Sequence, residues 1–328
     1  MTGNGTLAAS IVVATYQRAP AVRRLLEALA TQTCDPAAFE VVVVADGSTD
    51  GTLELVEGFP APFALRGAWQ ENAGRAAASN RAIGLARADL LIILDDDMVA
   101  TPGLVAAHIA AHEGHGDPRF VMGPAPIALP ADPRPFLRYM ATTRNEHYAR
   151  LAEPGHVFHV RDLYSANASV RRDVLLGVGG FDEAYRTYGG EDVDLALRLE
   201  GAGVVFGFCP DAVANEAYEK TFRELAADMV QEGRNAVRLA VRHPQAAGGQ
   251  QFSEPWPQPW WWKAARRALL GVTRLVPRTA DAVVAVTDAL DRRHARRMHL
   301  LLRFVLEYQY WIGAGPELRR ARREGLLP

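Results

Sequence analysis

Three uninterrupted apolar runs constrain the fold of this chain more than any other feature: Ile11-Val12-Val13-Ala14, Val41-Val42-Val43-Val44 and Leu90-Leu91-Ile92-Ile93-Leu94. Each is too short for a core helix, rich in β-branched residues and without polar alternation. Each therefore reads as a strand buried on both faces. Between them lie segments with helical spacing: Ala21 to Ala30 (apolar at Val22, Leu25, Leu26 and Leu29), a stretch from Thr52, and Ala73 to Ala86. A further strand is expected near Phe63 to Trp69, and Pro102 is expected to open a helix as its first-turn proline. Strands alternating with amphipathic helices predict an α/β fold: a mostly parallel sheet with helices on both faces.

In such sheets ligands bind beyond the carboxyl ends of the strands. Three polar clusters follow the predicted strands: Thr15-Tyr16-Gln17-Arg18, Asp46-Gly47-Ser48-Thr49-Asp50 and Asp95-Asp96-Asp97. Three adjacent carboxylates repel one another and call for a counter-ion. Hard divalent cations such as Mg²⁺ or Mn²⁺ take oxygen ligands and commonly use one or two carboxylates while substrate phosphates complete the shell. Taken alone, the triplet fits either such a site or a solvated acidic turn. The turn after the first strand lacks the glycines of a dinucleotide-binding G-x-G-x-x-G, which excludes a nicotinamide oxidoreductase of that type. No G-x-x-x-x-G-K-[ST] phosphate loop is present, which removes the common ATPases and GTPases.

At 328 residues, with 49% hydrophobic and 23% charged residues, the chain is long enough for one large domain and an appendage. Two cysteines, Cys34 and Cys209, are too few for a disulfide framework and are expected to pack as small apolar residues in a reducing compartment. No signal peptide and no membrane-length apolar run is visible, so a cytoplasmic location is expected. The net charge of −2 conceals an asymmetry: from Trp256 onward there are 14 Lys+Arg against 6 Asp+Glu, leaving the preceding part strongly acidic. That balance argues against nucleic acid as a partner of the body and points the tail toward an anionic surface.

In the second half, Asn167-Ala168-Ser169-Val170-Arg171-Arg172 precedes a glycine-rich stretch, and Gly189-Gly190 leads into Glu191-Asp192-Val193-Asp194-Leu195. Acidic residues suit the start of a helix, so Glu191 and Asp192 fit a cap. The two glycines before them also permit close substrate approach, so the pair equally fits a general base and its neighbour. His108, His112 and His115 lack the glutamate of a zinc helix and are expected on a solvated helix face. Residues 246–262, rich in proline and tryptophan, read as a linker. Residues 263–328 read as a C-terminal helical extension with arginines and apolar stripes, suited to packing or homodimer formation on one reading and to an interfacial membrane helix on the other.

Five segments, in this order, resemble the family 2 glycosyltransferases of the GT-A fold over roughly residues 8–245. They are Val12 to Tyr16, Val43 to Thr52, Glu71-Asn72-Ala73-Gly74-Arg75 with Ser79-Asn80, Leu94 to Asp97 with Pro102, and Gly179 to Glu183 with Gly190 to Leu195. The resemblance implies a GT-A-type single sandwich over 1–245, with a nucleotide-sugar-binding half at 8–123 and an acceptor and catalytic half at 124–245. It implies that Asp46 recognises the nucleotide base, with Thr15 and Tyr16 flanking base and ribose and Asn72, Gly74 and Arg75 lining the nucleotide side. Asp95 would lie toward the ribose and metal, Asp97 would hold the divalent metal, and Asp96 would belong to the same nucleotide-facing triplet. Asp192 would be the general base with Glu191 supporting it. Two departures stand out: Ala45-Asp46 replaces the usual acid pair, and Val213-Ala214-Asn215-Glu216 stands where many relatives carry a histidine. Asn215, or Glu216, is then the expected further oxygen ligand.

The expected activity is inverting, metal-assisted transfer from a nucleotide-diphosphate sugar, with UDP favoured, to a glycan or lipid-linked acceptor in cell-surface assembly. The acceptor would lie over Pro124 to Asp162. The location is cytoplasmic, with the inner face of the membrane as a peripheral site. A sugar-nucleotide pyrophosphorylase, or a non-catalytic nucleotide-sugar-binding relative, is the alternative.

Overall fold

The computed structural model describes residues 7–244 and 259–327, so most of the expected linker lies outside the described residues. These residues form two compact units. The first comprises residues 7–128, 141–186 and 191–218. The second comprises Leu129–Met140, Thr187–Gly190 and the described residues from Glu219 onward.

The first unit carries strands β1 (Ala9–Thr15), β2 (Phe39–Asp46), β3 (Ala64–Gln70), β4 (Leu90–Leu94), β5 (Met98–Ala100), β6 (Arg119–Met122), β7 (Asn167–Arg171), β8 (Val205–Phe208) and β9 (Ala214–Glu216). Seven of them form one sheet in the order β3-β2-β1-β4-β7-β6-β8, and β5 pairs with β9 in a separate ribbon. Only β7 runs against its neighbours in the large sheet, pairing antiparallel with β4 and β6. The remaining pairs are parallel. The mostly parallel α/β sheet expected from the apolar runs is present.

Strand alternation divides the core into two layers. Ile11, Val13, Val41, Val43, Ile92 and Leu94 pack with helices α1 (Ala19–Leu29), α2 (Thr52–Gly58) and α4 (Leu104–Ala110). Val12, Val42, Val44, Leu91 and Ile93 pack on the other face with α3 (Arg75–Leu85), α6 (Arg172–Gly177) and α7 (Glu191–Gly201). Both faces are covered, which is why β1, β2 and β4 are apolar on both sides through their middles. Cys34 and Cys209 pack against the first layer as expected. Pro102 does not open α4. Its carbonyl accepts from Thr33 N at 2.9 Å, and the helix starts at Leu104 after a turn closed by Leu104 N on Thr101 O.

The expectation of a solvated histidine face fails for His108 and for the half-buried His112, whereas His115 is exposed. His108 is fully buried, and Asn167 and Ser169 of β7 take up its ring nitrogens. Asn167 donates through Nδ2 to Pro124 O and Ala212 O, so its Oδ1 is an acceptor and receives His108 Nε2–H at 2.9 Å. His108 Nδ1 must then accept from Ser169 Oγ at 2.9 Å, and Ser169 Oγ in turn accepts from His112 Nε2 at 2.9 Å. A single proton arrangement satisfies all three hydrogen bonds among these four side chains, which offsets the cost of burying them. The alanines around His108 conceal this in the sequence.

Burial pulls both His108 and His112 down to about 4. A histidine whose folded pKa is depressed contributes stability that is complete above its unfolded value of about 6.5 and is lost as pH falls below it. For His108 the loss reaches about 2 kcal/mol at pH 5. Urea midpoints should therefore drop between pH 7 and pH 5, and the drop should shrink in His108→Gln. An equal drop in both proteins would refute the account.

The second unit contains α8 (Phe222–Arg242), α9 (Trp260–Leu275), α10 (Arg278–Arg292) and α11 (His299–Arg323). Helix α5 (Pro135–Leu151) precedes these in the chain. A capping box of Thr221 and Glu224 starts α8. Gly233 of α8 and Gly313 of α11 let the two backbones touch: a Cβ at either would fall on a carbonyl of the other helix, Tyr310 O or Val230 O. Helix α8, placed by the sequence at the close of the first domain, packs with the C-terminal helices. Trp260 to Trp262, read as linker, form the first turn of α9. Among the described residues no helix is long and apolar enough to cross a membrane.

Candidate functional site

The carboxyl ends of β1, β2 and β4 and the start of α7 carry the predicted residues, all within the first unit. Thr15 ends β1 and is buried. Its hydroxyl donates to Asp96 Oδ2 at 2.7 Å, and Arg18 Nη1 donates to Asp96 Oδ1 at 2.8 Å. Thr15 and Asp96 thus bind each other. The same Arg18 atom reaches Asp97 Oδ2 at 3.1 Å. Tyr16 is exposed. Beside it Gln17, with φ 53°, ties this loop to the next through Gln17 N on Ser48 Oγ and Thr49 N on Gln17 Oε1.

Asp46 ends β2 and is 3% exposed. Its Oδ1 accepts from Gln70 Nε2 and Ala73 N, and its Oδ2 from Gly74 N at 2.9 Å. Asn72 Nδ2 donates to the carbonyl of Asp46 at 3.0 Å. Asp46 therefore shapes the loop that carries Asn72, Gly74 and Arg75. Gly74 has φ 97°, a conformation that favours glycine.

Arg75, at the start of α3, joins the two halves of the site. It pairs with Asp95 Oδ1 at 2.5 Å and Glu191 Oε1 at 3.6 Å, and Nη2 lies 3.4 Å from Ser165 Oγ. Asp95, followed by Asp192 and Glu191, raises the pKa of its guanidinium further. Ser165 is buried and donates to Asp192 Oδ1 at 2.6 Å. Glu191 has a buried Oε2 without a hydrogen-bond partner. Burial and then the Asp192 charge push the Glu191 carboxyl up, opposed by Arg75.

Around the aspartate triplet, burial and then Asp95 push Asp97 up, opposed by Arg18. Burial carries Asp96 up to about 7, also against Arg18. Glu216 of β9 is likewise carried up to about 7 by burial, opposed by its ion pair with Arg144 and reinforced by Asp97 and Asp95. Neighbouring strand residues face opposite ways, so Glu216 faces the acid cluster and Asn215 faces away. Arg18, Ser165, Arg144 and Glu216 are the residues a sequence reading undervalues. Of these, Arg18 and Glu216 stand inside quoted clusters, whereas Ser165 and Arg144 carry no motif.

Six carboxylates (Asp95, Asp96, Asp97, Glu191, Asp192 and Glu216) are thus balanced by three guanidiniums (Arg18, Arg75 and Arg144). That excess of hard oxygen donors fits a divalent cation. Among the described residues no group of three or more His, Cys, Asp or Glu side chains is placed to hold a metal ion by itself. An open set suits Mg²⁺ or Mn²⁺ shared with a diphosphate, which needs only one or two protein carboxylates.

Comparison with known proteins locates this arrangement. The model of "Glycosyl transferase family 2" matches residues 10–176. The chain belongs to this family. A second model, described as the N-terminal domain of galactosyltransferase, matches residues 146–220, the stretch that holds Ser165, Glu191, Asp192 and Glu216. A validoxylamine A glucosyltransferase of Streptomyces hygroscopicus subsp. limoneus is 31% identical over 259 residues, 72% of this chain and 56% of that protein. An uncharacterized glycosyltransferase, YfnE, of Bacillus subtilis (strain 168) is 31% identical over 250 residues, covering 63% of this chain and 64% of that one. The chain thus spans between half and two thirds of the length of these relatives. Among solved structures, a mannosyltransferase from Pyrobaculum calidifontis in complex with GDP-Man and Mn2+ superposes with a TM-score of 0.61 at 21% identity. It covers 94% of this chain and 88% of that one. At that identity the likeness bears on the fold, which is of the GT-A type.

Proposed function

We propose that this member of family 2 transfers a sugar from a nucleotide-diphosphate sugar to an acceptor hydroxyl with inversion at the anomeric carbon. The observation that carries the reading is the single side-chain network from Asp95 through Arg75 to Glu191, and through Ser165 to Asp192. It ties the acidic end of β4, where a phosphate-bearing donor would be held, to the carboxylate pair that would meet the acceptor.

In the proposed reaction Asp192 takes the proton of the acceptor hydroxyl. The acceptor oxygen then bonds to the anomeric carbon as the carbon–oxygen bond to the diphosphate breaks. The nucleoside diphosphate leaves with that electron pair, and one displacement inverts the centre. Asp97, with Asp95, would hold a divalent metal, which supplies Lewis-acid neutralisation of the leaving diphosphate. Arg75 keeps Asp95 and Glu191 in place. Ser165 fixes the rotamer of Asp192 and leaves its remaining lone pairs for the hydroxyl. A uridine-type base is the favoured donor group, because Oδ2 of Asp46 accepts one hydrogen bond and retains capacity for a ring N–H. The likeness to a glucosyltransferase and to a mannosyltransferase complex with GDP-Man and Mn2+ supports a nucleotide-sugar donor. A glycan or lipid-linked acceptor in cell-surface assembly remains the proposed role.

The test is incubation with a panel of UDP-, GDP- and dTDP-sugars and Mn²⁺. At least one should raise the melting temperature and be slowly hydrolysed to the inverted sugar; no shift and no turnover with any donor refutes the reading. Ser165→Ala should lower kcat by about 10- to 100-fold with little change in donor KM, because it loosens the base without touching the donor. A fall in donor affinity with unchanged kcat would assign Ser165 to donor binding instead.

A further inference from the structure

We propose that α9 and the arginine groove beside it dock this chain on an anionic lipid bilayer. This inference concerns the second unit alone and does not depend on the glycosyl-transfer reading.

One side of α9 is anchored to α11. Trp262 Nε1 donates to Glu307 Oε2 at 2.8 Å, Arg266 pairs with Glu307 and lies 5.0 Å over the Trp311 ring, and Thr273 meets the Tyr308 hydroxyl at 2.5 Å. These contacts fix which side of the helix faces outward. At about 100° per residue, Trp260, Trp261, Ala264, Ala268 and Leu275 share one stripe about 100° wide, opposite the anchors and bordered by Arg267 and Arg274. The stripe is solvent-exposed: Trp261 is 53% and Leu275 85% accessible, and Trp260 at its border reaches 80%. A contiguous exposed ridge of this kind marks a contact surface.

The charges identify the contact. Trp260–Leu275 contains Lys263, Arg266, Arg267 and Arg274 and no acidic residue. Between α9 and α11 lies a groove of about 420 Å³ whose arginines include Arg267, Arg274 and Arg319, with Leu270 and Trp311 among its walls. Among the described residues those three arginines form no ion pair. A second copy on this face would set like charges against each other, with no acid on α9 to answer them. A nucleic acid would satisfy the arginines and leave the aliphatic ridge in water. An anionic bilayer answers both: the ridge enters the interface, the arginines reach headgroup phosphates, and tryptophan suits the boundary. The helix is too short and too charged to span, so it lies in the plane.

Co-sedimentation of the full chain with phosphatidylglycerol-containing vesicles and with pure phosphatidylcholine tests this. Wild type should bind the anionic vesicles at low salt and release at high salt. Replacing Arg267, Arg274 and Arg319 by Gln should weaken binding on the order of 100-fold. Replacing Trp261 and Leu275 by Ser should weaken it by about 10-fold or more. Both variants change exposed side chains, so unchanged melting curves confirm that they fold. The proposal fails if wild type does not sediment, if it binds phosphatidylcholine equally, or if both variants bind like wild type. It also fails if inorganic phosphate at constant ionic strength displaces the protein while the serine variant binds normally, which assigns the groove to a soluble anion. A dimer seen by light scattering and lost in the serine variant assigns the ridge to self-association.

Discussion

Asp192→Asn should abolish sugar transfer, with kcat reduced by roughly 10²- to 10⁴-fold and donor binding close to wild type. The amide has the shape of the carboxylate, and Ser165 Oγ can still donate to its oxygen, so the side chain keeps its place. It cannot take a proton from an acceptor hydroxyl. Arg75 draws its charge balance first from Asp95, so the donor-facing end of the network persists. The competing assignment gives Glu191 the role of base, and the same variant separates the two. Burial and then the Asp192 charge hold Glu191 above its usual range. Removing that charge lowers the Glu191 pKa, so a Glu191 base would stay active to lower pH. Transfer near the wild-type rate, with the acid limb displaced to lower pH, would assign the base to Glu191. Single-turnover transfer across pH, with donor titration, reads both quantities.

Strands β1, β2 and β4 were legible in the sequence because a strand buried on both faces has an apolar middle, whereas β5 to β9 are short and carry no such run. The helices on β1, β2 and β4 followed from spacing, as in Val22, Leu25, Leu26 and Leu29. The residues that hold the site together were less legible. Ser165 acts on Asp192 from 27 positions away, and Arg75 reaches Asp95 from 20, so no local pattern reports either contact. His108 was misplaced for a related reason. Its partners, Asn167 and Ser169, lie on β7 about 60 residues on, and a histidine group among alanines without the zinc-helix glutamate reads as solvated. Asp46 shows the reverse case. The family resemblance marks its position, whereas its bonds to Ala73 N and Gly74 N reveal a second duty, shaping the loop that presents Arg75.

Asp97→Ala should have opposite effects on the metal-free protein and on donor binding. Without a cation, Asp97 is a partly buried carboxylate beside Asp95, and burial first and then Asp95 push its pKa above the ordinary value. An acid whose folded pKa is raised destabilises the fold once pH exceeds its unfolded value of about 3.9, so at neutral pH its removal relieves a penalty. Arg18 keeps Asp96 as a partner at 2.8 Å, so the variant leaves no guanidinium stranded. The melting temperature without metal should therefore hold or rise. Wild type should gain stability from Mn²⁺ with donor, by about 2.7 kcal/mol at 100 times the dissociation constant, and the variant should not. Donor affinity in Mn²⁺ should fall by about 10- to 100-fold in the variant, toward the metal-free value. Calorimetric titration with and without chelator measures this. An Mn²⁺-dependent stabilisation that survives in Asp97→Ala would move the metal away from Asp97. Glu216, which shares the field of Asp95 and Asp97, would then be the next residue to replace.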